Sequence, residues 1–378
     1  MSKLLRQIKS VVVRPFLPAG RLSMLIFFVT SRCNQRCKSC FFWERRNAPE
    51  ADLTRDEIEK VCMKLPAFDV LLLSGGEPFL RDDLVDIIRL FYENNRIKSV
   101  AIPTNGMATD LIVQRVRQIA GIAADLHVSV NFSVDGPAAI HDGIRGVPGA
   151  FEKTMATMRA IAAMRKEISL LTCVVNTVVM ADNVRAIPDL IAIIENEGSA
   201  ADHAFEIIRG DPDQKDQKKL DRGEVMRIYE DILSYQERIA TRKFCSGGRG
   251  RVKGFIAKTL YTGNLRALYG KQLANYFGGK KWGFPCGAGG SVRVLYSNGD
   301  VPVCELRNDA VLNVRANDYD IDRIVSDPAF RRATELVRKT GCSCSHICFL
   351  MDSAYQSPRF LFWEYPMHIV LAALRRDA

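Results

Sequence analysis

Residues 22–30 (LSMLIFFVT) form a short apolar run broken only by Ser23. Such a run predicts a strand buried on both faces, as in a parallel sheet. Runs of the same character follow at Val70–Ser74, Ser99–Thr104, His127–Ser133, Leu170–Val179 and His203–Ile208. Between them apolar positions recur at helical spacing. Helices are expected over Asp56–Leu65, with Thr54 as the cap, and over Leu84–Asn94, Leu111–Ile119, Phe151–Ala163 and Val184–Asn196. This alternation predicts an α/β chain with a parallel sheet and crossover helices. Periodicity alone does not separate an open doubly wound sheet from a barrel. In both, functional groups gather where the strands end.

The alternation stops near Gly210. Residues 211–224 (DPDQKDQKKLDRGE) read as a solvated linker and Val225–Ala240 as a helix. Residues 243–285 carry Lys243, Arg249, Arg251, Lys253, Lys258, Arg266, Lys271, Lys280 and Lys281 with no acid. Between Cys286 and Cys348 a hairpin is expected around Asn298-Gly299, and a helix at 328–339. At the N-terminus Lys3, Arg6, Lys9, Arg14 and Arg21 accompany Leu4, Leu5, Ile8, Val11 and Val12 at helical spacing, a basic amphipathic helix suited to an anionic membrane. The tail joins Phe360, Leu361, Phe362, Trp363, Tyr365, Ile369, Val370 and Leu371 to Arg375 and Arg376. The expected organisation is an amphipathic segment at 1–21, a core at 22–215, a linker and basic helical segment at 216–285, a cysteine domain at 286–354 and an apolar tail at 355–378.

Composition narrows the class. The chain has 378 residues, 47% hydrophobic and 25% charged, which suits a globular protein of more than one domain. No apolar run reaches the ~18–20 residues of a membrane span. A formal net charge of +10 favours anionic partners. Pro15 and Pro18 interrupt the N-terminal apolar stretch, so no secretory signal is expected and a cytoplasmic location follows. The 11 cysteines are odd in number and clustered, a pattern of metal ligation in a reducing compartment. Cys62, Cys173 and Cys245 lie apart and read as ordinary residues.

Cys33, Cys37 and Cys40 form a CxxxCxxC triplet directly after the first strand. Three thiolates leave a structural zinc site one ligand short, whereas a four-iron cubane held by three would keep one iron open. This spacing resembles that of the radical S-adenosylmethionine (SAM) superfamily, and the likeness runs over most of the chain. It implies a partial (β/α)6 TIM-like barrel and a [4Fe-4S] cluster whose open iron is chelated by SAM. Gly75, Gly76, Glu77 and Pro78 resemble the superfamily's GGEP motif, where the backbone and Glu77 would accept hydrogen bonds from the SAM ammonium. The likeness extends to Thr104-Asn105-Gly106 and to Ser133-Val134-Asp135-Gly136. It makes Asn105, Asp135 and the ribose contact Ser133 cofactor candidates, Asn176 another, and Arg145 a partner for the SAM carboxylate. The superfamily usually has an aromatic residue before the third cysteine. Here Ser39 stands there and Phe41, Phe42 and Trp43 follow, so the ring covering the adenine is open among them.

Cys286, Cys304, Cys342, Cys344 and Cys348 resemble part of the auxiliary-cluster extension called SPASM, or its shortened form, twitch. That likeness implies a small α+β domain with one auxiliary [4Fe-4S] cluster on Cys286, Cys304, Cys344 and Cys348, Cys342 being a possible substitute. A zinc site with four cysteine ligands is the alternative. His346 is not expected to be a ligand.

The implied function is reductive cleavage of SAM to a 5′-deoxyadenosyl radical, which abstracts hydrogen from an unactivated C–H bond. An anionic or lipid-linked substrate fits the basic segments; a ribosomal peptide is the alternative. His203, Glu206 and Arg209, on or just after the sixth strand, are substrate candidates, with His203 and Arg209 expected on one face and Glu206 on the other. An acidic ferredoxin or flavodoxin is the expected electron donor, with peripheral contact to an anionic membrane. A zinc-stabilised nucleic-acid binder is the remote reading, and no nucleic acid is expected as a partner. No group suggests plain hydrolysis.

Overall fold

The computed structural model describes residues 21–245, 251–307 and 310–374. The expected amphipathic helix, apart from Arg21, lies outside them, as do Arg249, Arg375 and Arg376.

Seven strands form one all-parallel sheet: β1 (Met24–Thr30), β2 (Val70–Gly75), β3 (Ser99–Thr104), β4 (His127–Ser133), β5 (Leu171–Val179), β6 (Asp202–Ile207) and β7 (Val292–Leu295). Their order is β6-β5-β4-β3-β2-β1-β7. The first six are those expected from the apolar runs. β7 is the addition: its four residues are all buried, and they pair with β1 from Met24↔Val292 to Phe27↔Leu295. The turn at Asn298-Gly299 therefore closes no simple hairpin. The strand before it joins the large sheet, and the one after it, β8 (Asp300–Val301), pairs antiparallel with β9 (Leu312–Asn313).

Helices α1 (Arg55–Lys64), α2 (Leu84–Asn95), α3 (Thr109–Ala120), α4 (Ala138–Arg145), α5 (Ala150–Met164) and α6 (Ile187–Glu197) connect the first six strands. Thr54 caps α1 with a reciprocal box: its side chain accepts from Glu57 N, and Glu57 accepts from Thr54 N. Leu25, Phe27, Phe91 and Phe68 are buried, with Phe91 edge-on to both other rings.

The remaining helices are α7 (Arg222–Cys245), α8 (Arg251–Gly278), α9 (Ile321–Ser326), α10 (Pro328–Lys339), α11 (Ile347–Tyr355) and α12 (Tyr365–Leu374). The chain divides into two compact units. One is Leu22–Leu220 with Ala288–Glu335; the other contains Asp221–Gly287 and the chain from Leu336 onward. Residues 286–354, expected as one domain, are split between them. The stretch at 211–224 is less free than a linker. Lys215–Lys218 form a 3₁₀ turn, and the buried Gln217 bonds Ala181 and Asp182.

In the second unit α7 supplies the acids that α8 lacks. Lys258 meets Glu237 at 3.1 Å and Arg266 meets Glu230 at 3.3 Å, while Lys271 pairs with Glu364 at 2.6 Å. The acid-free stretch is thus partly neutralised from outside itself. Among the described residues no helix is long and apolar enough to cross a membrane.

Candidate active site

The cysteine loop leaves the C-terminal end of β1 and is tied down along its whole length. Cys33 N donates to Asn47 Oδ1 at 2.8 Å, and Asn47 Nδ2 returns a bond to Cys33 O at 3.1 Å. Asn47 sits at φ 55°, a left-handed conformation that asparagine tolerates. On the two sides of Cys37, Arg36 N donates to Arg145 O (3.2 Å) and Lys38 N to Ile144 O (2.9 Å), so the C-terminal carbonyls of α4 hold the loop. Cys40 O accepts from Asp213 N at 3.0 Å, and Lys38 Nζ meets Asp182 at 2.6 Å. The three thiols thus share one clamped loop.

Burial dominates their acidity. It pushes Cys33 up to about 12 and Cys40 up to about 11, and it raises Cys37 as well, although the nearby Arg145 opposes it there. Without iron the loop therefore holds thiols, and loading must displace protons. Among the described residues no three of His, Cys, Asp and Glu could hold a single metal ion. A cubane offers a separate iron to each thiolate, and three thiols with no fourth partner suit it better than one zinc.

The turn after β2 lies against this loop. Gly76 N donates to Thr30 O and Glu77 N to Arg32 O, both at 2.8 Å. Gly75 has φ +116°, and a Cβ there would stand 2.3 Å from Thr30 O; one on Gly76 would stand 2.0 Å from Arg32 O. The crowding that demands glycine at 76 comes from the cysteine loop's own backbone. Glu77 turns inward, fully withdrawn from water, and accepts from Asn105 N (2.7 Å), Thr104 Oγ1 (3.0 Å) and Phe79 N (3.2 Å). Asn105 Nδ2 in turn reaches Asn34 Oδ1 at 2.6 Å.

Burial outweighs those three donors and raises the Glu77 carboxyl from 4.5 to about 7. Between these values the folded chain keeps a proton that the unfolded chain releases. Stability from this group is present below about pH 4.5 and is lost as pH rises through about 7. With no SAM added, Glu77→Gln should therefore gain on the wild type by on the order of 3 kcal/mol between those pH values in urea unfolding. A difference that stays flat with pH would contradict this.

Along β4, β5 and β6 burial alternates, and the half-buried face carries Asn131, Ser133, Asn176 and Glu206. Ser133 and Asn176 stand opposite each other in register. Asp135 and Arg145 form a buried ion pair at 2.6 Å, and Arg145 Nη1 also reaches Cys37 Sγ at 3.7 Å. His203 lies on the other face of β6, fully buried, stacked on Phe205 and bonded to Thr177 at 2.8 Å. The expected grouping of His203 with Arg209 is thus corrected. The strand ends at Ile207, its alternation does not extend to residue 209, and Arg209 bonds Glu206. Arg209 also lies 3.7 Å from Glu305 and 4.9 Å above the Phe41 ring.

Phe42 is packed in the core against Phe28 and Tyr296. Phe41 and Trp43 remain half-buried, and Trp43 Nε1 is held by Asp211 O at 3.2 Å. Asn34, Gln35, Arg46 and Asn47 were not singled out from sequence. Their only signal is that polar side chains crowd a short loop after a buried strand.

Of the second cysteine set, Cys286, Cys342, Cys344 and Cys348 belong to the second unit and Cys304 to the first, the unit of the large sheet. In the second unit Trp282 Nε1 donates to Cys344 O at 3.1 Å and Gln272 to Ser345 O at 2.5 Å. His346 uses Nδ1 to accept from Cys348 N at 3.3 Å and caps α11.

Residues 27–193 match the radical SAM superfamily. This chain carries a radical SAM domain. An AdoMet-dependent heme synthase of Oleidesulfovibrio alaskensis is 30% identical over 194 residues, 50% of this chain and 46% of the relative. A pre-heme d1 synthase of Dinoroseobacter shibae is 32% identical over 182 residues, 46% of this chain and 41% of the relative. The chain spans about half the length of the curated relatives it matches. Among solved structures, anSMEcpe with bound AdoMet gives a TM-score of 0.59 at 16% identity, covering 93% of this chain and 95% of the other. SuiB of Streptococcus suis bound to precursor peptide SuiA gives 0.56 at 16%, covering 88% and 70%. These two likenesses show the fold, an α/β partial barrel. The radical SAM domain implies SAM and a [4Fe-4S] cluster, and the relatives are named as enzymes.

Proposed function

We propose that the chain is a radical SAM enzyme acting on an anionic substrate. The observation that carries this reading is the loop of three thiols clamped between the Gly75–Pro78 turn and the end of α4. Cys33, Cys37 and Cys40 would hold the cluster. The Glu77 turn would receive the SAM ammonium, and Ser133 and Asn176 on the half-buried face would contact its ribose. The chemistry these groups supply when bound is reductive cleavage of SAM to methionine and a 5′-deoxyadenosyl radical that takes hydrogen from an unactivated C–H bond. The protein's part is to fix the reacting parts and keep water out. The formal net charge of +10 supports an anionic substrate; Arg209, stacked over Phe41, is already paired with Glu206. A peptide substrate is the second reading, favoured by the fold shared with SuiB.

An auxiliary cluster held by cysteines of the later set, as the SPASM likeness implies, belongs to the same proposal. Four thiolates would leave it no open iron and suit it to electron transfer. An acidic ferredoxin or flavodoxin is the proposed donor. The exposed Phe362, Trp363 and Met367 support peripheral contact with an anionic membrane, which vesicle co-sedimentation at low salt would test.

The reaction itself is tested by reconstituting the protein anaerobically and adding dithionite and SAM. Slow release of 5′-deoxyadenosine is expected without substrate, and Cys40→Ala should abolish it. Equal release from that variant would overturn the assignment.

A further inference from the structure

We propose that Arg145 is a positioning residue for the cluster: held by Asp135, it sets a cation against the Cys37 sulfur and so raises the cluster's reduction potential. This rests on the reading of Cys33, Cys37 and Cys40 as cluster ligands.

The guanidinium has little freedom. Its Nη2 lies 2.6 Å from Asp135 Oδ2 and its Nη1 lies 3.7 Å from Cys37 Sγ. Asp135 is fully buried and Arg145 is 9% exposed. The carboxylate is fixed in turn. Its Oδ1 accepts from Val178 N at 3.1 Å, its backbone N donates to His141 Nδ1 at 3.1 Å, and its carbonyl accepts from Asn183 Nδ2 at 2.7 Å. The distance from Arg145 to Cys37 is fixed independently by the backbone. Ile144 O and Arg145 O accept from Lys38 N and Arg36 N, one on each side of Cys37. Gly146 closes α4 at φ +67°, and a Cβ there would come within 3.0 Å of Arg36 O. The loop and the helix end therefore move together, and the cation cannot drift from the sulfur.

Both terminal nitrogens thus have partners in the chain before any ligand arrives. The resemblance would use Arg145 for the SAM carboxylate; the geometry points its charge at a cluster ligand. The physical consequence follows from charge. Reduction adds one electron to an assembly of thiolates and sulfide, and a fixed cation in a poorly solvated place stabilises the more negative state more. Hydrogen bonds to cluster sulfurs act in the same direction. Asp135 tempers the cation and fixes its direction.

The test is a redox titration of the cluster in the reconstituted protein, followed by electron paramagnetic resonance, with iron and sulfide counted on the same samples. Arg145→Met removes charge and donor, and Arg145→Lys keeps the charge. At a fixed poise the reduced-to-oxidised ratio in the Met variant should fall about tenfold, a shift of about 59 mV for one electron. The Lys variant should stay nearer the wild type. If the Met variant holds too little iron to titrate, iron retention decides, and Lys should restore it. Met and Lys variants alike in potential, or alike in iron loss, would overturn the proposal. A wild-type protein without cluster would overturn the ligand reading along with it, whereas an iron-loaded Met variant at the wild-type potential removes the role of Arg145 alone.

Discussion

Gly76→Ala is expected to empty the barrel unit of its cluster. The added Cβ would fall 2.0 Å from Arg32 O and 2.8 Å from Ser31 O, both backbone atoms at the start of the cysteine loop. No side-chain rotation relieves such a contact, so either the turn or the loop must move, at a cost of about 3 kcal/mol or more. Movement of the loop breaks the bonds that bring Cys33 to Asn47 and Glu77 to Arg32. Iron retained after anaerobic reconstitution should fall several-fold, and SAM binding with it. Gly121→Ala is the control, since its Cβ would meet nothing nearer than 3.4 Å. A Gly76→Ala protein with wild-type iron content would show that the turn does not support the loop.

The second large effect concerns the number of clusters. With the proposed auxiliary cluster present, two cubanes would amount to about eight irons per chain. Changing Cys33, Cys37 and Cys40 together to alanine should leave about four, held by the later cysteines, while the fold survives. Loss of all iron would mean that the later cysteines hold none in the absence of the first site. Retention of all eight would remove the triplet from the site.

Much of the barrel was legible because each buried strand is long enough to show an apolar run and is followed by a helix of visible periodicity. β7 was not. Four residues, one of them Arg293, carry too little pattern, and their partner Met24 lies at the far end of the chain. α8 was legible only as part of the basic helical segment expected at 216–285, without its bounds. Gly254, Gly263 and Gly270 interrupt its pattern, and partners fixed by tertiary packing hold it: Gln272 bonds Tyr229 at 3.2 Å, and Gly263 lies against Ile369.

The site divides in the same way. The triplet's spacing after a buried strand marked its loop from sequence alone. What surrounds the thiols was not legible, because Asn47, Asp213 and the end of α4 arrive from distant positions and bond through backbone atoms. Glu77 was singled out as an acceptor, yet its burial, and with it the shift toward the protonated form, exists only in the fold. The parity argument for β6 placed His203 correctly on one face and failed at Arg209, since alternation ends with the strand.

The most direct test of the central claim is electron paramagnetic resonance of the dithionite-reduced protein with and without SAM, on wild type and on Cys40→Ala. A radical SAM site predicts a reduced-cluster signal in the wild type that SAM changes in shape, and no such SAM-sensitive signal in the variant. A wild-type spectrum unchanged by SAM, or a SAM-sensitive signal surviving in Cys40→Ala, would contradict the account.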